Sequence, residues 1–110
     1  METTVAKSTP PTPRRLAART PAVDIFESDV GLVIHADVPG ASAESVRLEV
    51  EQGLLRFSAD TPTATWSRSF LVPRGISVDA IRAELVAGVL RIDLPKSPDI
   101  RRRTVEVKAG

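Results

Sequence analysis

The sequence predicts an all-β fold, an immunoglobulin-like antiparallel β-sandwich of about seven short strands. Three observations carry that prediction. Apolar residues between positions 21 and 96 recur with a period of two rather than 3.6. Pro and Gly break the pattern at short intervals, as at Pro39-Gly40, Pro73 and Pro95. Two pairs of apolar runs are joined by the two-residue steps Gln52-Gly53 and Ala87-Gly88. In such a step glycine supplies the positive φ that a tight hairpin needs.

The elements follow in order. Val23 and Ile25 alternate with Asp24 and open a first strand. Leu32, Ile34, Ala36 and Val38 alternate with Val33, His35 and Asp37 up to Pro39-Gly40. Val46, Leu48 and Val50 alternate with Arg47, Glu49 and Glu51, and Leu55, Phe57 and Ala59 follow across the first hairpin. Trp66, Arg68, Phe70 and Val72 share one face of a strand that ends at Pro73. Ile81, Ala83 and Leu85 form the sixth strand, and Leu90, Ile92 and Leu94 the seventh. The segments Ala41–Ser45 and Ser77–Ala80 each suit one helical turn, with Ser42 and Ser77 as caps. Residues 1–20 read as a mobile Pro-, Thr- and Arg-rich arm, 21–96 as the folded domain, and 97–110 as a flexible basic tail with a Val-x-Val alternation.

Composition narrows the chemistry. The 110 residues carry a formal charge of +1 and 4% aromatics, too balanced and too poor in stacking groups for nucleic-acid recognition. Arg14-Arg15 and Arg101-Arg102-Arg103 read as solvated linker rather than phosphate contacts. The absence of Cys removes disulfides, thiolate catalysis and Cys-ligated metals, and fits a reducing, cytoplasmic location. No stretch reaches the roughly 18–20 apolar residues of a membrane span, and the charged N-terminus lacks the apolar core of a secretory signal. Pro10, Pro11 and Pro13 argue against an organelle transit helix. His35 and Asp37 supply two ligands where a catalytic zinc needs three. A Ser58–His35–Asp37 set lacks a nucleophile elbow. With no Gly-rich loop ahead of a helix there is no nucleotide site. The expectation is no catalysis, no metal and no cofactor.

Several phrases together resemble a known family: PAVDIFESD (21–29), ADVPG (36–40), VRLEVEQGLL (46–55), WSRSFLVP (66–73) and AELVAGVL (83–90) followed by LPK (94–96). They are similar to the α-crystallin domain of the small heat shock proteins, and Ala83 to Gly88-Val89-Leu90 matches its most specific signature. Val105-Glu106-Val107 matches the aliphatic-x-aliphatic motif that follows the domain in that family. The resemblance implies an ATP-independent holdase whose partners are partly unfolded client proteins and further copies of itself. It also implies a groove between the strand at 46–50 and the strand at 81–85, lined by Val46, Leu48, Val50, Ile81, Ala83 and Leu85.

Val105 and Val107 are two apart and so face one side, suiting them to enter such a groove as paired knobs. Alternation alone leaves two readings open for the six lining residues, groove or plain core. It leaves two for the tail as well, docking on a neighbouring subunit or on its own domain. Arg68 matches the family arginine at a dimer or inter-sheet contact, and reads equally as an edge arginine in solvent. A CS-type co-chaperone or adaptor domain, sharing the sandwich but binding one defined partner, is the alternative.

Two features depart from the family pattern. The connection DTPTAT, residues 60–65, is too short to hold the extra strand that relatives swap into a partner, and the strand after it reads as too short for edge pairing. The arm contains no Phe or Trp. The expectation is small or atypical oligomers without a loop-swapped dimer.

Overall fold

The computed structural model describes residues 17–98 and 105–109. Eight strands form two four-stranded sheets. They are β1 (Ala17–Arg19), β2 (Val23–Glu27), β3 (Gly31–Asp37), β4 (Arg47–Glu51), β5 (Leu54–Asp60), β6 (Ala64–Leu71), β7 (Arg82–Val86) and β8 (Val89–Pro95). One sheet has the order β1-β6-β5-β4, the other β2-β3-β8-β7. Each of the seven expected strands is present, and every pairing is antiparallel except that of β1.

The core comes from the inward faces of the inner strands. Ile34 and Ala36 of β3, Leu55, Phe57 and Ala59 of β5, and Leu90, Ile92 and Leu94 of β8 are buried together with Val38. A strand flanked on both sides hides more of its inward face than an end strand does. That is why Val46, Leu48 and Val50 of the β4 segment, and Ile81 and Leu85 beside and within β7, are only partly buried against this core.

Both two-residue hairpins have positive φ at each central residue, 51° and 79° at Gln52-Gly53 and 50° and 78° at Ala87-Gly88. This is the primed turn that matches strand twist, and it places a non-glycine residue in the left-handed region each time. The expected helical turns are single 3-10 turns, Ala43–Ser45 and Val78–Ala80. Ser42 and Ser77 occupy the cap positions, but neither side chain makes a capping hydrogen bond. Instead the Ser45 hydroxyl accepts from the Asp60 amide at 3.0 Å, tying the first turn to the end of β5.

Three boundaries differ from expectation. The span 1–20, read as a mobile arm, contains β1, which runs parallel to β6 with Ala17, Ala18 and Arg19 opposite Ala64, Thr65 and Trp66. Three residues with two alanines carry no alternation, so only the neighbouring edge reveals this strand. The DTPTAT connection shrinks to a three-residue loop, because Asp60 and Thr65 are themselves paired and the Thr65 hydroxyl donates to Asp60 Oδ1 at 2.9 Å. Thr61 closes that loop, its Oγ1 accepting from the Ala64 amide at 2.9 Å. β6 therefore begins at Ala64 and, at eight residues, is longer than expected. Arg14-Arg15 and Arg101-Arg102-Arg103 lie outside the described residues.

Candidate functional site

A groove of about 270 Å³ opens where the two sheets end, between β4 and β7. Val46 and Leu48 form one wall, Ala83, Glu84 and Leu85 the other, Ala43 one end, and Leu90 the floor. The groove exists because two end strands face each other with small or medium side chains and no described strand beyond them. Ala83 leaves the space that a larger aliphatic residue would fill, and it is exposed.

Four of the six residues expected to line a groove are brought together here: Val46, Leu48, Ala83 and Leu85. Val50 and Ile81 pack against the core outside the lining. Sequence reasoning missed Ala43, Glu84 and Leu90. Leu90 was legible in principle, since a two-residue turn at Ala87-Gly88 places it opposite Leu85. Ala43 reaches the groove from a 3-10 turn that alternation does not describe.

Val105 and Val107 are 78% and 88% exposed and belong to no strand, so the pair is presented to solvent rather than seated in its own domain's groove. Arg68 is exposed, with its guanidinium 5.0 Å from the centre of the Phe70 ring, and it stands opposite Phe57 in the β5–β6 register. No carboxylate pairs with it among the described residues.

Two other concavities lie on outer sheet faces. The larger, about 370 Å³, is lined by Glu49, Glu51, Gln52, Leu54, Arg56 and Leu71. Three of its six lining residues are charged, and it follows the twist of β4, β5 and β6 rather than a gap between sheets. His35 meets Phe26 edge-on at 5.2 Å. His35 and Ser58 alternate with core residues on β3 and β5, which lie in opposite sheets, so the core separates them and no Ser–His–Asp geometry arises. Among the described residues no three His, Asp or Glu side chains cluster as metal ligands. No helix there is long and apolar enough to cross a membrane.

Comparison with known proteins gives this geometry a family. The chain is 30% identical over 93 residues to spore protein SP21 of Stigmatella aurantiaca, covering 84% of this chain and 54% of that protein. It is 28% identical to the mitochondrial small heat shock protein hspI of Dictyostelium discoideum, covering 82% of this chain and 49% of that one. The chain thus spans about half the length of these two relatives. The fold matches that of a small heat-shock protein from Xylella fastidiosa with a TM-score of 0.66 at 25% identity, over 81% of this chain and 96% of that one. Residues 24–108 match the model of the Hsp20/alpha crystallin family, a span that takes in the sandwich from β2 onward, the groove and the Val-x-Val tail. The chain belongs to that family.

Proposed function

We propose that the chain is an ATP-independent holdase: it binds partly unfolded polypeptides through apolar edge surfaces and keeps them from aggregating. The observation that carries the reading is the match between an open apolar groove and an exposed Val105/Val107 pair with the same two-residue spacing as Val46/Leu48 and Ala83/Leu85. An end strand offers unpaired N–H and C=O groups to an extended segment, and pockets beside it take alternate side chains. Burying two Val side chains contributes roughly 3–6 kcal/mol before ordering costs, which makes a reversible contact. The tail of a neighbouring subunit then covers the groove, and an unfolded client competes for it. No nucleotide, metal or other cofactor enters this cycle.

Self-association through the tail follows from the same groove. The three-residue β5–β6 loop is too short to lend a strand to a partner, so the assemblies are small and are not built on a swapped loop. Arg68, exposed and on the strand next to that loop, is a contact point for a partner subunit. The location proposed is cytoplasmic, consistent with a chain free of cysteine.

The test is the light scattered by a heat-labile client enzyme on warming. Suppression at a few-fold molar excess without ATP supports the holdase. Undiminished aggregation contradicts it and favours an adaptor with one defined partner.

A further inference from the structure

We infer that the Val105–Val107 segment adds to the β4 edge of the groove and not to the β7 edge, and that Arg47 and Glu106 decide this. The inference rests on the tail-docking reading above. β4 and β7 are both end strands, so backbone geometry permits either. The charges do not.

When residues 105 and 107 of an extended segment face into the groove, residue 106 turns to the other side. Along β4 the two valines abut Val46 and Leu48, and Glu106 lies beside Arg47 whichever way the segment runs. Along β7 they abut Ala83 and Leu85, and Glu106 lies beside Glu84. Opposite charges directly across a ladder stabilise it, and like charges destabilise it. Lys108 points to the same edge. It meets Ser45 or Glu49 along β4, but Arg82 or Val86 along β7.

The partners are free to act in this way. Arg47 is exposed, and among the described residues its Nη1 donates to the carbonyl oxygens of Glu44 at 3.2 Å and Val46 at 3.4 Å. No carboxylate pairs with it among the described residues. Glu84 has Arg91 as its cross-strand neighbour, but no ion pair joins the two among the described residues, and the Arg91 Nε is held by Asp93 at 3.0 Å. Glu106 is itself exposed.

The experiment titrates a labelled peptide of residues 99–110 into the full chain carrying Val105→Ala and Val107→Ala, so that its own tail does not compete, with anisotropy as the readout. Arg47→Glu in the protein, or Glu106→Arg in the peptide, weakens binding roughly three- to tenfold, and the two together restore it to within about twofold. Glu84→Arg changes it by no more than about twofold. Tightening by Glu84→Arg with no effect of Arg47→Glu overturns the inference in favour of β7. Indifference to both reversals overturns it while leaving the docking itself intact. A native peptide that does not bind, or one that binds equally well with both valines replaced by alanine, overturns the docking reading and this inference with it.

Discussion

Leu85 and Leu90 stand directly opposite each other across the β7–β8 hairpin, yet Leu90 is 1% exposed and Leu85 is only partly buried. One residue is the floor of the groove and belongs to the core; the other is a wall at the sheet's end. The same register thus separates a stability residue from a recognition residue, and their substitutions diverge. Leu90→Ala costs about 2–5 kcal/mol of unfolding free energy, the usual range for a closed core site. Leu85→Ala costs well under half as much but weakens capture of the tail peptide. Urea unfolding and peptide titration on both variants check this; equal losses of stability contradict it.

Gly31 is set by close approach rather than by a turn. A Cβ there meets the Leu94 carbonyl oxygen at 2.5 Å and Pro95 Cα at 2.9 Å, both backbone atoms of the paired strand. Gly31→Ala therefore pushes β3 and β8 apart at the end of the core. The expected loss is about 1–3 kcal/mol in urea unfolding; a neutral Gly31→Ala contradicts the register at this site.

Ala87 sits at φ 50°, a conformation that an alanine reaches only at a cost of about 1–2 kcal/mol. Ala87→Asn keeps a side chain suited to the left-handed region, and raises the melting temperature by a few degrees, consistent with about 0.5–1 kcal/mol. Ala87→Val, branched at Cβ, lowers it. Calorimetry on the pair reads the sign, and a stabilising valine contradicts the turn geometry.

β1 has its own reporter. Trp66 is the only tryptophan. It pairs with Arg19, whose guanidinium lies 6.0 Å from its ring, and its Nε1 is buried without an acceptor among the described residues. Removing residues 1–20 exposes this indole, so its emission shifts to the red. An unshifted spectrum contradicts the pairing of β1 with β6.

Much of this was legible before any coordinates. The alternation of Ile34 and Ala36, of Leu55, Phe57 and Ala59, and of Leu90, Ile92 and Leu94 identifies the core strands, because a period of two puts these side chains on one face, where the facing sheet buries them. The same alternation in Val46, Leu48 and Val50 gives no sign that β4 ends its sheet; sheet order depends on contacts distant in sequence. Alternation therefore does not separate Val50 and Ile81, which the family resemblance places in the groove, from the residues that line it, and it does not reach Ala43 at all. β1 was hidden for a different reason: it is held by the β6 edge and by an arginine over Trp66 rather than by any pattern of its own.

The groove's role as a docking site is tested most directly by methyl cross-relaxation in a mixed sample, half the chains labelled at valine methyls and half at leucine methyls. The account predicts intermolecular contacts from Val105 and Val107 to Leu48 and Leu85, lost when Ala83→Phe fills the space between the walls. Sharp, contact-free Val105 and Val107 signals at concentrations where the chain self-associates would contradict it.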